Sequence, residues 1–371
     1  MRPSDLSPED AAHLDEARLL ARRGWGQVHP NPMVGCVLVL DGRVVGEGCH
    51  EVFGGPHAEV VALEAAGGGV EGATAYVSLE PCNHDGKTPP CARALIRAGV
   101  QRVVYGAADP GTDSGGGGDT LRAAGIDVVG PAWPSQIGRA ENPAFFHAAR
   151  HATPYVALKL AMSLDARIAA APGVRTRLTG VEADREVHRL RAGFDAVMVG
   201  AGTVRVDDPS LTVRRVSPGR EPTRRILLVP DAEISPDSAI FSDTETAPVH
   251  VFAREDVSEV AVKRLEACGA HTHRVPATSS GLDLEAVFAA CWETGVRSIL
   301  CEGGAALAAS LLRERRVHRL YLFVAPTTLG ARGVPAYPED ADELIWDDFR
   351  SVVPPERYGS DTLIVLDRQE D

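Results

Sequence analysis

Apolar and polar positions recur along the chain with two periods, and the changes of period mark its elements. Residues 8–23 carry Leu14, Ala17, Leu20 and Ala21 at helical spacing. Ser7 stands ahead as a cap, Pro8 takes the first helical position, Glu9 and Asp10 the first turn, and Gly24 is a stop. Two apolar runs, 36–40 and 43–48, flank Asp41 and Gly42, a pair that predicts a hairpin. A helix over 57–66 follows behind Pro56, then a buried strand over 73–79, a helix over 91–98, a strand over 102–107, a short helix over 119–124 and a strand over 127–129. Strands separated by helices predict an α/β sheet covered on both sides. From Gly130 to Pro154 the pattern lapses into prolines and short apolar groups, so a domain boundary is placed near residue 150, giving domains of residues 1–150 and 151–371.

Alternation restarts past the boundary. Strands are predicted over 155–161, 196–200, 225–229, 249–253, 298–302 and 319–324, with helices over 181–192, 257–268, 284–294 and 305–313. This is a second α/β domain, and its strand ends carry the polar residues. Glu302, Gly303 and Gly304 stand between a strand and a helix, where backbone N–H groups and the helix dipole can receive a phosphate. Gly200, Ala201, Gly202 and Thr203 end another strand. Neither run is the full dinucleotide fingerprint, so both nucleotide binding and tight turns fit them. Lys159, on an otherwise apolar strand, needs a partner or a site to justify its burial. The run Asp207 to Arg214 fits either an ordinary turn with a salt bridge or part of a site.

Length and charge narrow the class. A chain of 371 residues with 44% hydrophobic composition has material for two cores. The formal net charge is −13 with no dense Lys/Arg cluster, which favours a small substrate over a nucleic acid. Seven cysteines without framework spacing fit a reducing compartment. No stretch approaches 18 uninterrupted apolar residues and no signal-peptide core follows Met1, so a cytoplasmic protein without membrane attachment is expected.

The chemistry concentrates in residues 57–91, which open with His57, Ala58 and Glu59 and close with Pro81, Cys82 and, nine positions on, Cys91. Two thiolates and one imidazole make a three-ligand zinc site with an open fourth position, where water is activated. Glu59, not a ligand, is placed to ferry protons. This order of His, Glu, Pro-Cys and Cys is the signature of zinc nucleobase deaminases. The wider cysteine spacing inserts a loop carrying His84 and Lys87. A purely structural zinc module would close the metal with a fourth ligand and have no use for Glu59. Asn31, between Pro30 and Pro32, fits either a turn or a substrate contact, and His50 either a surface or a site position. Gly115–Gly118 follows Asp109 and Pro110 but lacks a P-loop lysine, and is expected to be a flexible loop.

Together the runs HPNPMVGC, HAE, EPCNHDGKTPPC, KLAMSLDARIA, VGAGTVRVDDPSLTVR and CEGGAALA resemble the bifunctional riboflavin-biosynthesis deaminase/reductases along nearly the whole chain. The resemblance implies a cytidine-deaminase-like three-layer domain followed by a dihydrofolate-reductase-like domain. It implies zinc-dependent deamination of a diaminopyrimidinone bearing a phosphoribosylamino group, then reduction of the ribose to ribityl by NADPH. His57, Cys82 and Cys91 would hold Zn²⁺, Glu59 would move protons, and Asn31, His50, His84 and Lys87 would contact substrate, Lys87 through the phosphate. In the second domain Ala161, Thr203, Asp207 and the stretch from Gly304 through Ala305, Ala306 and Leu307 to Ser310 would lie on NADPH. Lys159 would sit near hydride transfer, and Arg191, Leu211, Arg214 and Glu302 would hold the substrate. The family also suggests a homo-oligomer.

The second domain departs from the family pattern. Ala166 stands where Gly is usual, Arg175 and Arg177 where a small Ser and a Trp are usual, and Val229 and Pro230 where an Asp and a small hydroxyl residue end a strand. The alternative these departures raise is a deaminase whose second domain serves only binding or dimerisation in a related pathway. A base deaminase acting on tRNA or DNA would need a basic groove and short cysteine spacing, and the sequence has neither.

Overall fold

In the computed structural model, which describes residues 6–84, 89–279, 281–337, 348–351 and 353–369, Asp41 and Gly42 take φ of 51° and 72°. Two consecutive positive φ angles are what a type I′ hairpin turn requires, and this one joins β1 (Gly35–Leu40) to β2 (Arg43–Cys49). β3 (Thr74–Leu79) pairs antiparallel with β1, and β4 (Arg102–Ala107) and β5 (Asp127–Val129) continue in parallel, giving the order β2-β1-β3-β4-β5. The period of two divides each strand between two cores. Val37 and Val39 of β1 pack with Leu14, Ala17 and Leu20 of α1 (Pro8–Ala21), whose Asp10 N–H donates to the Ser7 hydroxyl at 3.0 Å. Cys36 and Leu38 face the other way, towards Ala58 and Ala62 of α2 (Ala58–Ala66), Leu95 of α3 (Cys91–Arg97) and Leu121 of α4 (Gly117–Ala123). The unit Met1–His151 is therefore a three-layer α/β fold.

Two local expectations fail here. The stretch from Gly130 to Pro154 contains α5 (Ser135–Glu141) and α6 (Pro143–Ala148), and Phe146 packs on Leu79 and Ala107 at the ends of β3 and β4. Pro134 and Pro143, which look like breakers in sequence, sit at the helix starts, where a missing N–H costs nothing. Gly117 and Gly118 belong to α4 and not to a flexible loop. A Cβ on Gly117 would lie 1.7 Å from the Pro81 carbonyl oxygen, and Gly118 N–H donates to Glu80 Oε1 at 2.9 Å. The glycines let α4 approach the ligand-bearing loop.

Among the described residues the second unit, Ala152–Asp371, holds a ten-stranded sheet. Seven parallel strands form most of it: β6 (Tyr155–Ser163), β7 (Ala196–Gly200), β8 (Arg224–Leu228), β9 (Val249–Arg254), β10 (Ala270–Val275), β11 (Ser298–Cys301) and β12 (Arg319–Ala325). β13 (Phe349–Ser351), β14 (Glu356–Tyr358) and β15 (Asp361–Arg368) add an antiparallel flank, in the order β10-β9-β8-β7-β11-β6-β12-β15-β13 with β14 also on β15. Ala196 and Met198 of β7 enter one core and Val197 and Val199 the other. The helices are α7 (Val181–Ala192), α8 (Ala201–Asp207), α9 (Glu259–Ala267), α10 (Leu284–Glu293) and α11 (Ala305–Arg313).

Here too the sequence pattern misses elements. Gly200 to Thr203 is not a bare strand-end turn, because Ala201 already begins α8. β10 escapes the pattern because an edge strand reading His271, Thr272, His273, Arg274 shows little apolar alternation. Among the described residues no helix is long and apolar enough to cross a membrane.

Candidate functional site

His57 is the N-cap residue of α2, in extended backbone conformation at φ −78° and ψ 162°. Cys82 follows the end of β3, and Cys91 opens α3 behind Pro90. The sequence thus brings two helix starts and one strand end to a single point. His57 Nδ1 lies 3.5 Å from Cys82 Sγ and 3.3 Å from Cys91 Sγ, and the three donor atoms all lie within 4.8 Å of one another. Tetrahedral zinc with ordinary Zn–N and Zn–S bonds separates such donors by roughly 3.5 Å. The donor set therefore fits the metal in type and spacing. Cys91 N–H donates to Cys82 Sγ at 3.4 Å, and the Cys91 thiol, with His57 assisting, lowers the Cys82 thiol well below its ordinary value against the opposing effect of burial.

Glu59 lies in the first turn of α2 and is 3% exposed. Burial, reinforced by the Cys82 charge, pushes its carboxyl up to about 7. His50 is also buried, and burial lowers its pKa, so the ring is neutral at pH 7. Its Nδ1 donates to the Pro56 carbonyl at 2.9 Å, which leaves Nε2 to accept from Asn31 Nδ2 at 3.2 Å. These bonds fix the tautomer and orient the Asn31 amide. A pocket of about 350 Å³ is lined by Asn31, His50, His57, Glu59, Cys82 and His84 among others. Lys87 falls outside the described residues.

The pocket wall also contains Glu80, which opens the run EPCNHDGKTPPC, and Asp109 and Ser114, none of them given a role by the motifs. Glu80 accepts N–H bonds from Asp109 at 3.2 Å and Gly118 at 2.9 Å, tying the ligand loop to the end of β4 and the start of α4. The available signal was positional, since ligands of parallel sheets gather at strand carboxyl ends.

The second unit carries a cleft of about 550 Å³. Thr203, Asp207, Gly304, Ala305, Ala306 and Leu307 line it. Ala161, on β6, is not among its lining residues. Gly304 N–H donates to Thr203 Oγ1 at 3.0 Å, joining the starts of α8 and α11. The small residues there leave backbone accessible to a dinucleotide, so the wall fits the group.

Beside these, Glu302 takes two hydrogen bonds from Arg191, at 2.5 and 3.0 Å, and Lys159 Nζ approaches at 3.6 Å. Lys159 thereby has the partner that its burial demanded. Arg191 also donates to the Thr212 carbonyl at 3.2 Å. Arg214 donates to the hydroxyls of Ser210 and Thr212, and its backbone N–H to His188 Nδ1 at 3.1 Å. Leu211 differs from these polar groups. The whole residue is 3% exposed, with its side chain in the core and its backbone at φ 54°.

The positions that depart from the family pattern separate in space. Pro230 lines the cleft, whereas Val229 is fully buried in the core. Arg177 is 66% exposed and pairs with Asp184 at 4.0 Å. Burial raises Asp207, and Arg175 and Lys159 act against that rise.

Comparison with known proteins agrees with both halves. The profile described as RibD C-terminal domain matches residues 154–351, and that of the cytidine and deoxycytidylate deaminase zinc-binding region matches residues 7–107. The chain is 38% identical over 361 residues to the riboflavin biosynthesis protein RibD of Escherichia coli K12, covering 93% of this chain and 97% of that relative. The chain belongs to the RibD family. With the RibD of Aquifex aeolicus it shares 39% identity over 323 residues, 86% of this chain and 88% of that one. Among solved structures, Acinetobacter baumannii RibD superposes with a TM-score of 0.81 at 32% identity, over 98% of this chain and 99% of that chain. The deaminase/reductase of Thermotoga maritima gives 0.80 at 31% identity, over 97% and 99%.

Proposed function

We propose that the first unit hydrolyses an amino group from diaminohydroxyphosphoribosylaminopyrimidine and that the second reduces 5-amino-6-(5-phosphoribosylamino)uracil with NADPH, the pair of activities that names the Thermotoga relative. One observation carries this function: a buried carboxyl that is no part of the donor set, Glu59, shares a pocket with His57 and Cys82 of the triad His57, Cys82 and Cys91.

Zinc held by His57, Cys82 and Cys91 supplies the Lewis acidity that brings the pKa of water to about 7. Glu59, a carboxyl raised by burial, can take up and release a proton near neutrality. It accepts a proton from the attacking water and returns one to the departing amine. Asn31, its amide N–H engaged by His50, offers its carbonyl oxygen to a donor on the pyrimidine. His84 has a buried Nδ1 without a partner among the described residues, a polar atom that substrate satisfies. Lys87 as phosphate partner rests on the motif alone.

In the second unit NADPH supplies the hydride. Thr203, Asp207 and the start of α11 would hold it along the cleft; Ala161, outside the cleft wall, rests on the motif alone. Lys159, Arg191 and Glu302 would order the substrate beside it, with Arg214 through its guanidinium, and Leu211 would shape the turn from within the core. A deaminase with a lapsed second unit fits less well, because the cleft and the Lys159, Glu302 and Arg191 group are both in place. The protein is taken to act in the cytoplasm as a homo-oligomer, which sedimentation would check.

The test is to incubate zinc-loaded protein with the diaminopyrimidine phosphate, with and without NADPH, following product mass and NADPH absorbance. Deamination followed by an NADPH-dependent gain of two hydrogens is expected. Deamination that leaves NADPH untouched overturns the second half, and absence of deamination overturns the first.

A further inference from the structure

Arg225 occupies a place that the strand pattern reserves for an apolar side chain. It is the second residue of β8 and is 0% exposed. Leu227 and Val229, which follow it on the same face, belong to the core that also receives Leu211. A cation in such a place costs stability unless its donors find partners. Its guanidinium finds them on backbone carbonyls: Nε donates to Ala247 O at 3.1 Å, Nη2 to the same oxygen, and Nη1 to Ser210 O at 3.1 Å.

Ser210 immediately precedes Leu211, the residue at φ 54°. An L-residue with a branched side chain resists that conformation and holds it only where its surroundings dictate it. Two anchors on consecutive residues do so here. Arg225 holds the Ser210 carbonyl, and the core holds the Leu211 side chain. The reversal after Leu211 delivers Thr212 O to Arg191 and Arg214 N–H to His188. Arg191 is the same side chain that grips Glu302.

We propose that Arg225 is a positioning residue for the reduction step: by fixing the Ser210 carbonyl it sets the turn at Leu211 that carries Arg214 to the substrate. This rests on the assignment of Arg214 as a substrate contact. Arg225 touches neither substrate nor cofactor. A lysine could keep the charge but not the three-donor fork, and a methionine could keep only the bulk.

The experiment uses full-length, zinc-loaded protein as wild type, Arg225→Lys and Arg225→Met. Reduction of the deaminated pyrimidine and hydrogen exchange are both measured. In the variants the KM for that pyrimidine should rise about tenfold or more, with a smaller fall in kcat, while the KM for NADPH and the deamination rate stay within about twofold. Exchange should rise over residues 210–214 and stay unchanged over β7 and β9. A folded variant with unchanged substrate KM overturns the proposal, as does exchange that rises equally throughout the unit, or failure of both variants to fold. Wild-type protein that never oxidises NADPH with this substrate removes the reductase reading itself, and the proposal with it. Normal wild-type turnover with unaffected variants removes the positioning role alone.

Discussion

Glu302 and Arg191, 111 residues apart in the chain, meet through two hydrogen bonds of 2.5 and 3.0 Å. The contact joins the end of β11 to α7, and Lys159 approaches the same carboxylate from β6 at 3.6 Å. Three elements are tied at one charged point in the second unit.

That point makes the unit acid-sensitive. Burial by itself would raise the Glu302 carboxyl, but Arg191 and then Lys159 outweigh it and hold the group at about 2, below its ordinary 4.5. The pKa is depressed on folding, so the stabilisation is complete above pH 4.5 and is lost as pH falls from there towards 2. Urea unfolding of the second unit should show this decline in wild type and a flatter profile in Glu302→Gln. At pH 7 that variant should be less stable by about 3 kcal/mol, because Arg191 is left buried and unpaired. Equal pH profiles would contradict the assignment.

Ala166 stands at φ 53°, the left-handed region where a Cβ is unfavourable. Ala166→Gly should therefore stabilise the second unit by about 1 kcal/mol, raising its melting temperature by about 2–4 °C in calorimetry. An unchanged or lowered melting temperature would show that the surroundings already favour alanine.

Gly117 approaches the Pro81 carbonyl so closely that a Cβ would sit 1.7 Å from the oxygen and 2.8 Å from the carbon. Backbone must move to admit it, and the backbone concerned leads directly into Cys82. Gly117→Ala should weaken zinc binding by about tenfold, as loss of a ligand's supporting contacts does. Competition with a chelator followed by metal analysis measures this, and wild-type affinity in the variant would rule out the coupling.

The sequence shows the chemistry of the zinc centre better than its support. His57, Glu59, Cys82 and Cys91 announce themselves because zinc and proton transfer need those residue types in that order, and the order survives folding. Glu80 does not announce itself, because its partners, Asp109 and Gly118, lie 29 and 38 residues away and are backbone groups. The glycines at 115–118 read as flexible for a related reason: the close approach of α4 to Pro81 is a long-range fact. In the second unit the helical start at Ala201 is hidden by flanking glycines, and Leu211 looks like a substrate contact until the fold buries it in the core. Arg225 is the limiting case, since nothing local separates a buried arginine from an exposed one beside Arg224.

The most direct test of the account is Glu59→Gln, with zinc content and deamination measured on the same preparation. The substitution keeps the size of a side chain that is 3% exposed and removes only its capacity to carry a proton. The predicted result is one zinc retained per chain with deamination reduced by at least about 100-fold. Undiminished deamination in the zinc-loaded variant would contradict the proton-transfer role at the centre of the proposed mechanism.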